Sequence, residues 1–381
     1  MKMATKQAIF EEKVQRYWAG RKEEKGAILD AVVEVTGVHR KAAIRRFRTL
    51  RFGKKRPKRL GRKRMYGHAL TPAIRELWEM AGRICAERLH PIIKEYIRIL
   101  KRDRMWRHPE TVTKLLFTAS TATLKRRIDT FENIKGRGGR GTTKPSHLKE
   151  IIPIRRGPWN NPAPGYGEID TVAHCGGSLE GSFAYTVQYT DVTTIWMCLS
   201  AQWNKGEIET RKSIERIQNH LPFRLSGIDP DSGSEFINWH LKEWCDGENI
   251  EMTRTRPYMK NDHARIEQKN YTNIRHVVGY SRFDDPRFVT LLNELYDVLE
   301  DHINFFVPSQ KCIAKIKTDS RSKRIYDTAA PAYARVLAEN RIPSDIKKIL
   351  TQKYASLNPK ILRQKIDNLL TKLSKISNRL R

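Results

Sequence analysis

The stretch "LSGIDPDSGSEFINWH", residues 225–240, decides how this chain is read. Asp229 and Asp231 lie two apart at the end of an apolar run, followed by a Ser-Gly turn and a helix-like segment. Acids at the carboxyl end of a buried strand sit where open α/β sheets present their sites. Working outward, "FRLSGID" reads as a strand, "SEFINWHLKEWCDG" as a helix, "IEMTRTRP" as a further strand and "NDHARIEQKNYTNIRHVVG" as a long helix. Upstream, "YGEIDTVAH", "SFAYTVQYT" and "IWMCLSAQ" are β-branched and aromatic runs split by "GGSLEG" and "TDVTT", as in an antiparallel meander. An amphipathic helix over 205–221, with Ile208, Ile214, Ile217 and Leu221 on one face, joins the two halves. The expectation is an α/β core over 161–310, with a five-stranded mixed sheet and helices on its faces.

Charge divides the chain in the same way. The total of +31 is +26 over 1–160, −8 over 161–310 and +13 over 311–381. Basic flanks concentrate a chain on a polyanion through counterion release; the same charge would also suit a ribosome-associated protein. Hydrophobic residues make up 39%, enough for real cores. No long apolar run spans a membrane and no signal-peptide pattern opens the chain, so a cytoplasmic, nucleoid-associated protein is expected. Five scattered cysteines without C-x-x-C suit reduced thiols.

Residues 1–50 read as a helix-turn-helix domain: "TGVHR" breaks the helical spacing at Gly37, and His39, Arg40, Lys41, Arg45 and Arg46 lie on or at the start of a basic second helix. A basic linker, 51–69, carries Lys54, Lys55, Arg56, Lys58, Arg59, Arg62, Lys63 and Arg64 with no acid, and is expected to follow the DNA backbone. Residues 70–134 look helical and repeat the plan, with Lys125, Arg126 and Arg127 on a second basic helix facing nucleic acid. Ordinary helical hairpins remain the alternative for both. A Gly/Arg-rich linker, 135–160, leads to the core, and a basic helical region, 311–381, follows it. The stripe Ile361, Ile366, Leu369, Leu370 and Leu373 in the last helix serves either a partner or docking onto the core.

Three acids carry the expected chemistry. Asp170 lies within the first strand, Asp231 at the end of the fourth and Glu267 early in the last helix; 60 and 35 residues separate them. A carboxylate inside an apolar strand must be paired or metal-bound. Three converging carboxylates need cations, and hard oxygens suit Mg²⁺ or Mn²⁺. Two such ions about 4 Å apart would serve an in-line phosphoryl displacement. Spacing selects Asp231 over Asp229, which is then a supporting or solvent-facing acid. His263 either touches substrate phosphate or is a surface histidine. Lys260, Lys269 and Arg275 either hold DNA or are solvated. His174 and Cys175 have no zinc spacing and are expected to pack locally.

At these residues the chain resembles the integrase core of the DDE transposase and retroviral integrase superfamily. The resemblance lies in "EID" (168–170), "DSGSEF" (231–236) and "NDHARIEQKN" (261–270). It extends to bacterial insertion-sequence transposases through "TGVHRKAAIRRF", "TTKPSHLKEIIPIR", "DTVAHCGGS", "RPYMKND" and "LLNELYDVLEDHINFFVPSQK". It implies an RNase H-like fold and two Mg²⁺ held by Asp170, Asp231 and Glu267. It also implies binding to the terminal inverted repeats of a mobile element, 3′-end cleavage and strand transfer into double-stranded target DNA, by a dimer or higher multimer. Asp231-Ser232-Gly233 departs from the family's usual Asp-Asn-Gly. A non-catalytic or domesticated DNA-binding protein, or a nuclease of the same fold that only hydrolyses, are the competing functions.

Overall fold

In the computed structural model, the described residues are 3–53, 66–131, 162–230, 235–254, 269–318 and 321–379. Asp231, Glu267, His263, Lys260, the linker cations from Lys54 to Arg64 and the Gly/Arg-rich segment 135–160 lie outside them. The chain divides into two compact units, Met1–Met65 and Tyr66–Arg381.

Among its described residues the first unit holds three helices: α1 (Met3–Ala19), α2 (Lys22–Thr36) and α3 (Arg40–Phe52). The break expected at Gly37 is there. Gly37 takes the left-handed conformation (φ 65°) that closes α2, and the His39 ring accepts the backbone N–H of Lys41 to start α3. Phe10, Tyr17, Leu29, Val32, Ala43 and Phe47 form its core, with Tyr17 stacked on Phe47 at 4.3 Å. Helix α1, in front of the expected pair, supplies two of those residues.

The second unit begins with α4 (Leu70–Met80), α5 (Ala86–Leu89), α6 (Ile93–Arg102), α7 (Glu110–Thr118) and α8 (Thr121–Ile128). Then come β1 (Tyr166–Ala173), β2 (Ala184–Asp191), β3 (Met197–Trp203), α9 (Glu207–His220), β4 (Gly227–Pro230), α10 (Trp239–Gly247) and β5 (Glu251–Met252). Together the strands make one sheet in the order β3-β2-β1-β4-β5. β1 to β3 pair antiparallel, and β4 and β5 add on in parallel after helical crossovers, so the mixed five-stranded sheet is as expected. A π-helical turn (Asn270–Arg275) leads to α11 (Arg287–Phe306). The last elements are β6 (Cys312–Thr318), β7 (Arg321–Tyr326), α12 (Ala332–Ala338), α13 (Ser344–Ser356) and α14 (Pro359–Arg379).

Side chains alternate across each strand, so the sheet has two apolar faces. Ile169, Val187, Tyr189, Cys198 and Ile228 pack with Ile214 and Ile217 of α9 and Leu241 of α10, in a core continuous with α4–α8. Val172, Met197, Leu199 and Ala201 pack with Leu292, Leu295 and Tyr296 of α11 and with Ile366 and Leu373 of α14. The last helix therefore docks on the core, leaving Ile361 41% exposed. β3 is an edge strand whose outward groups are closed by α11. Asn304 Oδ1 and Glu300 Oε1 accept the N–H of Met197 and of Leu199 at 2.9 and 2.6 Å, and Asn293 Oδ1 accepts that of Ala201 at 2.8 Å. Polar side chains on one helix face thus replace a neighbouring strand and block edge pairing.

One expectation is corrected. Residues 312–326, assigned to a helical region, form an antiparallel hairpin. Their Lys/Arg content favours a helical reading, but Ile313, Ile316, Thr318 and Ile325 are β-branched residues either side of a polar stretch, and these favour extended pairing.

His302, on α11, is buried and donates Nε2–H to the Met80 carbonyl at 2.8 Å, tying α4 to α11. Burial pushes its pKa down to about 4. The sign of the pH effect follows: below the ordinary value of about 6.5 the unfolded chain takes up a proton that the folded chain refuses, so folding weakens as pH falls. Between about pH 7.5 and 5 this histidine alone should remove about 2 kcal/mol of stability. Urea unfolding at both pH values should show His302→Gln losing about 2 kcal/mol less than wild type.

Candidate catalytic site around Asp170

β1 is the middle strand, flanked by β2 and β4. Ile169 points into the core and is fully buried, so Glu168 and Asp170 share the other face. Across the strands Asp170 sits opposite Gln188 of β2, and Glu168 lies opposite both Thr190 of β2 and Asp229 of β4. Three acids thus occupy one patch of the sheet. Glu168 and Asp229 are buried, whereas Asp170 is half-buried, which makes it the carboxylate of the three most open to solvent. Asp229 Oδ1 accepts the Thr253 hydroxyl at 2.6 Å, just after β5. Asp229 is fully buried and does not face solvent.

Asp170 Oδ1 accepts the N–H of Thr171 at 2.7 Å, and Oδ2 accepts Nδ2–H of Asn270 at 2.6 Å. Asn270 begins the π-helical turn and brings the segment after Glu267 against β1. Its own carbonyl oxygen, Oδ1, is buried and has no hydrogen-bond partner among the described residues. The adjacent Lys269 donates to Ser309 Oγ at 2.7 Å; burial, with Arg88 and Arg335 nearby, pushes its pKa down to about 7. Arg275 donates to the Ala173 carbonyl at 2.6 Å and lies over the Tyr280 ring, so it pins the turn to the end of β1. His174 Nε2 pairs with Thr186 Oγ1 at 2.7 Å, which in turn meets the Tyr296 hydroxyl at 2.6 Å. Burial pushes the His174 pKa down to about 3, so the ring is neutral and packs locally.

Two residues near the site were not singled out in the sequence. Asn270 stands three residues, or about one helical turn, after Glu267, and that spacing was its only signal. Glu235, within "DSGSEF", is buried, and its Oε1 meets Thr171 Oγ1 at 2.8 Å and Lys205 Nζ at 2.7 Å. It braces β1 from the side opposite Asp170. Among the described residues no group of three or more His, Cys, Asp or Glu side chains is placed to hold a metal.

The expected DNA-facing cations fare differently from one another. His39, Arg40, Lys41 and Arg45 are exposed on the first unit, and Arg40 pairs with Asp30. Arg46 turns inward, bonding Gln7 Oε1 at 2.6 Å and covering the Phe10 ring. Lys125 and Arg126 are exposed on α8, with Glu87 3.7 Å from the Lys125 ammonium. Arg127 bonds Thr71 Oγ1 at 2.6 Å and the Tyr66 carbonyl at 2.7 Å, which locks α8 onto the start of α4.

These features define an α/β protein with an acid-bearing central strand framed by helices. No family model matches the chain. It is 36% identical over 342 residues to "Uncharacterized protein y4rM" of Sinorhizobium fredii (strain NBRC 101917 / NGR234), covering 87% of this chain and 95% of that protein. The chain belongs to the same family as that protein. Two solved structures of the HTLV-2 integrase catalytic core domain in complex with magnesium, a dimeric and a trimeric form, are also similar in part. They align with 39% and 38% of this chain and 93% and 87% of theirs, at 12% and 13% identity and TM-scores of 0.29 and 0.28.

Proposed function

We propose that the protein is a DNA transposase of the DDE type, with Asp170, Asp231 and Glu267 as its catalytic acids and double-stranded DNA, both element ends and target, as its substrate. The observation that carries this reading is what adjoins Asp170. Ile169 pairs with Pro230 across β1 and β4, and Asp170 and Asp231 are the next residues of their respective segments. Asn270, three residues after Glu267, holds the Asp170 carboxylate directly. The chain neighbours of both other acids therefore lead to the same carboxylate.

The donors at hand suit a hard divalent cation: the half-buried Asp170 carboxylate and the amide oxygen of Asn270, which has no hydrogen-bond partner among the described residues. Asp170, with Asp231 and Glu267, would hold Mg²⁺ or Mn²⁺, two ions in this reading. Bound there, the ions supply charge neutralisation and polarisation of phosphate oxygens. The protein's own part is to hold Asp170 in register between β2 and β4, and to orient its Oδ2 through Asn270. The exposed cations of α3, Arg40, Lys41 and Arg45, together with Lys125 and Arg126 of α8, would hold the DNA ends by their backbone. Self-association as a dimer or higher multimer belongs to the same reading.

The test uses labelled candidate end DNA, a plasmid target and Mg²⁺ or Mn²⁺ with wild type, Asp231→Asn and Asp229→Asn. Joined products are expected with wild type and, at a reduced level, with Asp229→Asn, but not with Asp231→Asn. End binding without cleavage under either metal would instead show a DNA-binding scaffold.

A further inference from the structure

Among the described side chains of the β6–β7 hairpin, those of Cys312, Ile313, Ala314, Ile316, Arg324, Ile325 and Tyr326, none belongs to a buried cluster. Ile313, Ile316 and Tyr326 are 64%, 48% and 48% exposed. A two-stranded ribbon outside any buried cluster is marginal in water. This one is also loaded with like charge: Lys315, Lys317, Arg321, Lys323 and Arg324 lie in its strands, and between Cys312 and Tyr326 the sequence holds one acid, Asp319. The register sets Lys315 directly opposite Arg324. Like charges in opposed positions destabilise a strand pair, and neither strand carries an acid to relieve them. A polyanion laid along the ribbon does relieve them, and the DNA major groove admits a two-stranded ribbon. A second copy of the hairpin would only add charge of the same sign.

The base of the ribbon is anchored at the site. Ser309 and Ala330 exchange backbone hydrogen bonds of 2.9 and 3.1 Å, and Asp327 accepts the Lys311 N–H at 2.6 Å while pairing with Arg335 at 2.6 Å. Ser309 also takes Lys269 on its hydroxyl and Arg335 on its carbonyl, and Arg88 donates to the Pro308 carbonyl. Lys269 precedes Asn270, which holds Asp170. The ribbon thus starts from a braced, cation-lined base one residue from the contact to the acid.

We propose that the β6–β7 hairpin is a clamp for double-stranded DNA, holding the phosphate backbone of the duplex that lies at the Asp170 site. The inference rests on the reading of the protein as one that acts on DNA. The clamp is tested with the full chain and a fluorescent duplex of about 30 base pairs of arbitrary sequence. Anisotropy titrations between about 50 and 200 mM salt give the dependence of affinity on salt. The double variant Lys315→Gln/Arg324→Gln should bind about tenfold more weakly at the low-salt end, with a salt slope lower by about 2. Lys323→Gln alone should lower it by about 1. The double variant should melt no lower than wild type, because an opposed like-charge pair is gone. Unchanged slopes in both variants overturn the clamp while leaving the DNA reading intact. Variants that change sedimentation of the free protein but not the slope overturn it in favour of a self-association surface. Wild type that binds no duplex overturns both.

Discussion

Asp170→Asn should reduce metal-dependent joining of end DNA by about 1,000-fold or more, which is about 4 kcal/mol of transition-state stabilisation. The substitution is nearly isosteric and keeps an oxygen that can accept from Asn270 Nδ2 or from the Thr171 N–H, both of which the carboxylate engages now. What it removes is the negative charge, which a hard divalent cation requires and an amide does not supply. Folding should be little changed or slightly favoured, since Glu168 and Asp229 share the same face of the sheet and lose a like-charged neighbour. DNA affinity should hold or rise, because one charge that repels phosphate has gone. The measurement is product yield in the joining assay, beside anisotropy and thermal melting of the same preparation. Activity within tenfold of wild type would make Asp170 a structural acid and remove the basis of the catalytic reading.

Phe306→Ala should lower the stability of the second unit by about 3–5 kcal/mol. Phe306 ends α11, is buried, and meets Tyr354 of α13 at 5.4 Å and Tyr96 of α6 at 6.2 Å. The Tyr96 hydroxyl donates to the Phe306 carbonyl at 2.9 Å. Next to it, Phe305 packs on Trp196 of the sheet layer and on Tyr333 of α12. Removing the ring opens a cavity where three segments far apart in sequence meet, and the Tyr96 hydrogen bond to the Phe306 carbonyl limits how far the site can collapse. Urea unfolding followed by tryptophan fluorescence gives the loss. A change below about 1 kcal/mol would mean that α6 and α13 do not share a tight core with α11.

Much of the α/β core was legible because its signals are local. β1, β2 and β3 alternate with period two between turn sequences, Gly37 marks a left-handed turn, and the small residues at Ala119-Ser120 separate α7 from α8. Asp170 stood out for the same reason: an ionisable group in an apolar alternating strand conflicts with its surroundings, and only a partner or a cation resolves that. The hairpin at 312–326 was not legible, since its basic composition favours a helical reading and no apolar face settles it locally.

The direction of a charged side chain was equally out of reach. Arg46 and Arg127 read as DNA-facing cations on basic helices, and Arg275 as a cation that holds DNA or is solvated, yet each turns to acceptors 39, 61 and 102 residues away. Asn293, Glu300 and Asn304 are polar residues of α11, and they close the edge of β3. By itself the sequence determined the order of strands in the central sheet region, the alternating apolar faces and the strand that carries Asp170, because backbone period and turn chemistry act over a few residues. Only the tertiary structure decided which polar groups meet solvent and which meet each other. That choice depends on backbone donors and acceptors brought close by folding, and a buried group without one costs a few kcal/mol wherever it lies in the chain.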